Sequence, residues 1–272
     1  MAVSLENSGR SPLARVTFSL HLAPILQSAS AQPNLMVRFI DKFEVILLDM
    51  GQTFMFDVDR FSDEENFGAT YRQLGGRTLG DAEVRRIILS LIERLLAYSR
   101  DAAFCNRFPT VSHCIRNFPE LEGLDPGEFE RIEQVFAMHE IGTVPQTHVA
   151  VLRQLSETHR LGVVSNIWSK SDLYFREFDR AGIRDLFDVI LFSSDHGHIK
   201  PSPYLFVKAV DAFDVELSKM VFVGDSLKRD IAGAKAIGLA TVWINLEASE
   251  TDKTAAASFD LVIQDLRELF VR

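Results

Sequence analysis

Residues 44–53 read Glu-Val-Ile-Leu-Leu-Asp-Met-Gly-Gln-Thr, so that a run of apolar residues ends directly in an aspartate. A continuous apolar run is typical of a strand that is buried on both faces of a parallel sheet. Similar runs follow at 161–165, 189–192, 220–223 and 240–244. The sequence therefore predicts a core of five strands.

Helical patterns separate the later strands, at 147–159, 171–181, 203–213 and 226–237. Strands that alternate with amphipathic helices predict right-handed crossovers and a doubly wound, Rossmann-like α/β sheet. The alternation is interrupted once, after the first strand, by helical patterns near 63–74, 81–104 and 125–140. We therefore expect an α/β core made of 39–60 and 143–272, with residues 61–142 inserted as a helical cap. A polar stretch at 247–257 predicts a surface loop.

The composition limits the partners of the chain. Apolar residues make up 47% of it and charged residues 25%, as in an ordinary globular protein. A net charge of −9 argues against nucleic acid, which requires a basic face. No apolar run reaches the ~18 residues that would span a bilayer, so we expect no membrane partner. The sequence does not predict an oligomeric state.

The first 38 residues contain one acid, several serines and three arginines. This composition is that of an organellar transit segment, although the interpretation we favour is a disordered N-terminal extension, or an over-long start with Met36 as the natural initiator. We expect the protein to act in the cytoplasm, or in an organelle if residues 1–38 are a transit segment.

Polar residues follow four of the predicted strands, where active sites of open parallel sheets form. Asp49 follows the first strand, and Ser165-Asn166 ends the second. Lys200 lies in the loop after the third strand, and Asp225 follows the fourth, with Asp230 one helical turn further on. If the strands are neighbours, these side chains meet in one crevice.

The chemistry of this set favours a phosphate site. Two neighbouring carboxylates, Asp49 and Asp225, would repel each other unless a hard divalent cation such as Mg²⁺ lay between them. With such a cation, one carboxylate can attack phosphorus and form an aspartyl-phosphate. Lys200 would stabilise the developing charge, while Ser165 and Asn166 would hold phosphoryl oxygens.

Four segments in order resemble the haloacid dehalogenase superfamily, whose members are mostly phosphatases. They are Val-Ile-Leu-Leu-Asp-Met-Gly-Gln-Thr at 45–53, Val-Val-Ser-Asn at 163–166, Ile-Lys-Pro-Ser-Pro at 199–203, and Val-Gly-Asp-Ser with a later Asp at 223–230. Each segment alone is a weak signal, whereas four in the family's order, each after a strand-like run, are a strong one. The position of the insert is similar to that of the family's small helical cap.

The resemblance implies a role for each matching residue. Asp49 would be the nucleophile and a Mg²⁺ ligand, with the backbone carbonyl of Gly51 and the Asp225 carboxylate as further ligands. Ser165 would bind phosphate, and Lys200 would stabilise charge. Asp230 would be a supporting acid that ligates through water or orients Lys200. The expected activity is Mg²⁺-dependent hydrolysis of a small phosphorylated metabolite.

Gly51 departs from the common phosphatase pattern, in which a second aspartate stands two residues after the nucleophile. That aspartate protonates the leaving oxygen, a contribution often worth about 10² to 10⁴ in rate. Asp57 and Asp59 are candidate substitutes if their loop folds back, but the interpretation we favour for both is a solvated turn.

Two alternatives to a phosphatase remain open. A 2-haloacid dehalogenase shares the nucleophile but uses no metal, and Asp225 at the fourth motif disfavours it. A catalytically weak regulatory or binding protein would explain Gly51, but it would not need the charges of Asp49, Lys200, Asp225 and Asp230. A phosphonate-cleaving relative would need a lysine in the cap, and residues 61–142 contain none.

Overall fold

A computed structural model describes residues 38–118, 121, 123, 125–245 and 259–271 of the chain. The predicted N-terminal extension, except for Arg38, and the predicted loop at 247–257 lie outside the described residues. Among the described residues, no helix combines the length and the apolar character that crossing a bilayer requires.

Six parallel strands form one sheet with the order β3-β2-β1-β4-β5-β6. They are β1 (Val45–Leu48), β2 (Arg160–Ser165), β3 (Phe187–Phe192), β4 (Met220–Gly224), β5 (Ala240–Ile244) and β6 (Leu261–Ile263). The five predicted strands are present, and β6 was not predicted. In the centre of the sheet, Leu48 at the end of β1 lies beside Val163 of β2 and Val223 of β4.

Strand β1 is buried on both of its faces. Because side chains alternate along a strand, Ile46 and Leu48 pack into one hydrophobic cluster, whereas Val45 and Leu47 pack into another. Helices α5 (Gln146–Ser156) and α6 (Asp172–Ala181) cover the first cluster, and α8 (Pro203–Val210) and α9 (Ala232–Ala236) cover the second. The doubly wound α/β fold that the sequence predicts is therefore confirmed.

Four helices lie between β1 and α5 in the chain: α1 (Phe67–Gln73), α2 (Asp81–Arg100), α3 (Val111–Arg116) and α4 (Pro126–Glu140). They enclose a hydrophobic cluster of their own, in which Ile88 and Leu91 of α2 pack with Tyr71 and Ile132. The predicted helix at 81–104 ends at Arg100, because the backbone of Asp101 adopts an extended conformation. The Asp101 carboxylate then caps a short 3₁₀ turn at Ala102–Phe104. A short helix, α7 (Ser193–His196), follows β3.

Two chain segments that join these four helices to the sheet are hydrogen-bonded to each other. The N–H of Phe56 donates to the carbonyl of Thr143 (2.9 Å), and the N–H of Thr143 donates back (2.8 Å). A Cβ on Gly142 would lie 2.1 Å from the Phe56 carbonyl oxygen, so a residue with a side chain does not fit there. This pairing fixes the direction in which the chain leaves the sheet after β1.

The helical insert also contacts the loop that follows α7. The N–H of Phe108 donates to the carbonyl of Gly197 (2.7 Å), and the N–H of Ile199 donates to that of Cys105 (2.9 Å). The hydroxyl of Ser202 donates to Oδ1 of Asn106 (2.6 Å). These bonds flank Lys200 and hold its loop against the insert.

Candidate active site

The polar residues that the sequence predicts do meet at the carboxyl ends of neighbouring strands. Asp49 follows β1, Ser165 ends β2 and Asp225 follows β4, and these three strands are adjacent in the sheet. One cavity is lined by all seven predicted site residues: Asp49, Gly51, Ser165, Asn166, Lys200, Asp225 and Asp230. The convergence follows from the parallel topology, because every strand delivers its carboxyl end to the same edge.

Lys200 lies between two carboxylates. Its Nζ is 2.6 Å from Oδ1 of Asp49 and 2.7 Å from Oδ1 of Asp230, and it donates to the carbonyl of Val164 (2.9 Å). The side chain is only 2% exposed. Burial lowers the pKa of Lys200, but the two carboxylates raise it by more, so that the pKa lies above its usual value. The lysine is therefore a fixed positive charge beside Asp49.

Ser165 and Asn166 have different partners. The hydroxyl of Ser165 donates to Oδ1 of Asp49 (2.9 Å), the same oxygen that contacts Lys200. The side-chain amide of Asn166 pairs with the backbone of Lys200, accepting from its N–H (2.9 Å) and donating to its carbonyl (3.3 Å). Asn166 thus holds the Lys200 loop in place, which the sequence did not predict.

Three of the acids that line the cavity, each buried or half-buried, lie close together. Asp49, Asp225 and Asp230 each offer one carboxylate oxygen, and these oxygens lie within 4.8 Å of one another. Burial, together with the charges of Asp49 and Asp230, raises the pKa of Asp225 to about 7. Burial is also the main cause of the raised pKa of Asp230, which Lys200 opposes.

This oxygen-only set fits a hard divalent cation. Carboxylates held this close repel one another, and a cation of the Mg²⁺ type would remove the repulsion without a change in geometry. The cluster unites the two predicted metal-binding carboxylates, Asp49 and Asp225, and adds Asp230. Gly51, whose carbonyl is the third predicted ligand, lines the same cavity.

Four further residues with ionisable side chains line this cavity and were not among the predicted site residues: Asp59, Glu140, Tyr174 and Arg229. Glu140 ends α4 and is 4% exposed. Its carboxylate accepts from the N–H of Trp168 (2.6 Å), and from the N–H (2.9 Å) and the hydroxyl of Ser169. Burial raises the pKa of Glu140 to about 7, although these donors oppose the rise.

Asp57 and Asp59 have different surroundings. Both are exposed, as a solvated turn predicts. Asp59, however, also lines the cavity that contains Asp49, whereas Asp57 lies outside that lining. Desolvation of its carboxyl group within the cavity raises the pKa of Asp59, the nearby Arg229 lowers it, and the charge of Asp49 raises it further. The solvated-turn interpretation therefore describes Asp57 and is incomplete for Asp59.

The sequence profile of the haloacid dehalogenase-like hydrolases matches residues 83–244, more than half of the chain. The chain belongs to this family. The match begins inside α2, after Asp49, and includes Ser165, Lys200, Asp225 and Asp230. The protein is therefore a haloacid dehalogenase-like hydrolase, as the four sequence segments imply.

Curated relatives of this hydrolase include phosphatases. The pyrimidine 5'-nucleotidase YjjG of Escherichia coli (strain K12) is 30% identical over 156 residues, which cover 56% of this chain and 66% of the relative. The glyceraldehyde 3-phosphate phosphatase of Pyrococcus furiosus is 32% identical over 127 residues, or 46% of this chain and 52% of the relative. The chain thus spans between half and two thirds of the length of these two relatives.

The solved structures similar to this hydrolase include a 2-haloacid dehalogenase from Pseudomonas syringae pv. Tomato DC3000. The two share 25% sequence identity with a TM-score of 0.57, over 84% of this chain and 97% of the other. The structural similarity thus covers more of this chain than the sequence similarity to the two curated relatives does.

Proposed function

We propose that this hydrolase is a Mg²⁺-dependent phosphatase that transfers the phosphoryl group of a small phosphorylated metabolite to Asp49 and then to water. The observation that carries the proposal is the cluster of Asp49, Asp225 and Asp230, whose carboxylate oxygens lie within 4.8 Å of one another beside the buried Lys200. Lys200 supplies one positive charge for three carboxylates, so the cluster favours a further cation, and a divalent cation suits a phosphate dianion as substrate.

Asp49, the carbonyl of Gly51 and Asp225 would hold the Mg²⁺. The ion would supply the charge that lets an anionic phosphate approach an anionic nucleophile. The contacts of Lys200 and Ser165 with Oδ1 of Asp49 orient its carboxylate before substrate arrives. As negative charge develops on the phosphoryl oxygens, Lys200 and Ser165 would donate to it.

We further propose that residues 61–142 act as the cap over this site. The insert has a hydrophobic core of its own and contacts the Lys200 loop through Cys105 and Phe108. Caps of this kind exclude water and supply contacts to the part of the substrate beyond the phosphate. The curated relatives, a pyrimidine 5'-nucleotidase and a glyceraldehyde 3-phosphate phosphatase by name, support a small phosphate ester as the substrate class.

A 2-haloacid dehalogenase is the second candidate, because a solved structure of that name is 25% identical over most of this chain. The carboxylate of Asp225 counts against it, since a metal-free reaction at Asp49 would gain nothing from a further acid at this distance. Gly51 is the residue that favours a catalytically weak binding protein instead.

The test is phosphate release from p-nitrophenyl phosphate and a panel of phosphate esters, alongside halide release from 2-chloropropionate. We expect Mg²⁺-dependent phosphate release that a chelator or Asp49→Asn abolishes. Asp57→Asn, a matched change in an exposed residue, should leave activity intact. Full activity in Asp49→Asn would overturn the assigned nucleophile. Halide release without metal would favour the dehalogenase, and no turnover of either substrate would favour the binding protein.

A further inference from the structure

Position 51, where many family phosphatases carry their proton-transferring aspartate, has no side chain in this protein. A Cβ built on Gly51 would meet Val58 Cγ2 first, at 3.8 Å. The turn that contains Val58 and Asp59 therefore lies against the space into which a side chain at position 51 would extend. Asp59 and Gly51 line the same cavity.

This turn is held in an uncommon backbone conformation. Asp57 and Asp59 have positive φ angles of 57° and 56°, a left-handed conformation that few residues other than glycine, asparagine and aspartate adopt readily. The N–H of Asp59 donates to the carbonyl of Glu140 (2.9 Å), and the N–H of Arg60 donates to that of His139 (2.8 Å). These bonds to the end of α4 determine where Asp59 lies.

The guanidinium of Arg60 also stabilises this turn through hydrogen bonds to backbone carbonyls. It donates to the carbonyls of Asp57 (2.5 Å), Ile141 (2.7 Å) and Met138 (2.5 Å). Backbone that is held in a sparsely populated region by several long-range bonds is commonly found at functional sites, where it fixes a side chain. Of the residues in this turn, Val58 and Asp59 line the cavity, and Asp59 is the one of the two with an ionisable side chain.

We propose that Asp59 is the catalytic acid and base of this hydrolase, in place of the aspartate that Gly51 lacks. The inference rests on the proposed function. The charged groups that face Asp59 are Asp49, Arg229 and Glu140. The raised pKa of Asp59 supports the assignment, because it favours the form that carries a proton.

Hydrolysis then takes place in two half-reactions. In the first, an oxygen of Asp49 bonds to phosphorus while the bond from phosphorus to the leaving oxygen breaks, and that oxygen takes the proton of Asp59. In the second, water attacks phosphorus and gives a proton to the Asp59 carboxylate, while the bond between phosphorus and Asp49 breaks. Inorganic phosphate leaves, and both carboxyl groups return to their starting states.

The test compares Asp59→Asn with Asp57→Asn. Asparagine tolerates the left-handed conformation at both positions, and far-ultraviolet circular dichroism with a thermal melt checks the fold. On glycerol phosphate, whose alkoxide leaving group needs a proton, Asp59→Asn should lower kcat by about 10² to 10⁴. On p-nitrophenyl phosphate the first step should be little affected, and the second should be slowed. Asp57→Asn should match the wild type on both substrates.

Two further readouts separate proton transfer from other roles. The first is the mass of the intact protein after an acid quench during turnover of p-nitrophenyl phosphate. A larger fraction of the Asp59→Asn protein than of the wild type should carry a phosphoryl group. Calorimetry with Mg²⁺ alone should give the same binding isotherm for both proteins.

Equal rates in Asp59→Asn and Asp57→Asn on glycerol phosphate would overturn the role of Asp59 and leave the proposed function intact. Loss of Mg²⁺ affinity in Asp59→Asn would also overturn it, because Asp59 would then be a metal ligand. Absence of Mg²⁺-dependent phosphate release in the wild type would overturn the proposed function itself.

Discussion

Lys200 Nζ lies 2.6 Å from Oδ1 of Asp49, and the two residues are 151 positions apart in the chain. Asp49 follows β1, whereas Lys200 stands in the loop after β3, so their contact depends on the whole central sheet. The reciprocal bonds between Asn166 and the backbone of Lys200 connect this loop to the end of β2 as well. The site is thus held by contacts between loops from three strands.

Replacement of Lys200 by methionine should destabilise the protein strongly. It would leave Asp49 and Asp230 buried without their shared cation, and breaking a buried pair in this way costs about 3 to 5 kcal/mol. The control is Lys170→Met, because Lys170 is 65% exposed and its contact with Glu133 (3.1 Å) should contribute at most about 1 kcal/mol. Urea unfolding measures both, and equal losses would contradict the buried ion pair.

Asp225→Asn should have opposite effects with and without Mg²⁺. Without the ion, the variant should melt at a higher temperature than the wild type at pH 8, because it removes a charge that Asp49 and Asp230 repel. With Mg²⁺ at a hundredfold excess over Kd, the wild type should gain about 2.7 kcal/mol and the variant much less. A wild type that Mg²⁺ does not stabilise would contradict the metal assignment.

Gly51→Asp should rescue Asp59→Asn. A Cβ at position 51 would meet only Val58 Cγ2 within 4 Å, at an ordinary contact distance of 3.8 Å. The Cβ of the new aspartate therefore fits without a steric clash. Because it would restore an acid beside the same cavity, turnover of glycerol phosphate should rise in the double variant relative to Asp59→Asn. The control is Gly51→Asn, which adds similar bulk without a carboxyl group. Equal rates in the two double variants would mean that no proton transfer was regained.

The stability of the protein should depend on pH through Glu140. Its pKa is about 7 in the folded protein and 4.5 when unperturbed, so between these values the folded state binds the extra proton. The contribution of Glu140 to the free energy of unfolding is therefore complete below about pH 4.5 and is lost as pH rises to about 7. At about 1.4 kcal/mol per pH unit, the loss is at most about 3 kcal/mol.

Urea unfolding of the wild type and Glu140→Gln checks this dependence. As pH rises from about 5 to about 8, the free energy of unfolding of the wild type should fall relative to that of Glu140→Gln, because the variant has no carboxyl group to ionise. Ser169→Ala is a useful companion, since it removes one donor to the Glu140 carboxylate and should raise the Glu140 pKa further. A difference that is flat with pH would mean that Glu140 is ionised throughout this range.

The convergence of Asp49, Ser165, Lys200 and Asp225 could be predicted because it depends on topology alone. Apolar runs and alternating helices predict a parallel sheet, and such a sheet brings the residues after each strand to one edge. Strand β6 was missed because three residues are too few to show a periodic pattern. Helix α3 was missed for the same reason, because it spans only six residues.

The position of Asp59 could not be predicted, because it depends on contacts that local sequence does not encode. A positive φ at a non-glycine residue leaves no clear signal, and the bond that fixes the turn reaches Glu140, 81 residues away. The role of Glu140 was missed for the same reason, since its donors Trp168 and Ser169 lie on a distant loop. The contacts of Asp59 and those of Trp168 and Ser169 all join the end of α4 to loops that follow strands of the sheet.

Locating the phosphoryl group during turnover would identify the nucleophile. The protein would be mixed with Mg²⁺ and substrate, quenched in acid, digested and analysed by peptide mass. We predict the added mass of one phosphoryl group on the peptide that contains Asp49, and none in a reaction without Mg²⁺ or in Asp49→Asn. Phosphate release without a phosphoryl group on any peptide, or with one on another residue, would contradict Asp49 as the nucleophile.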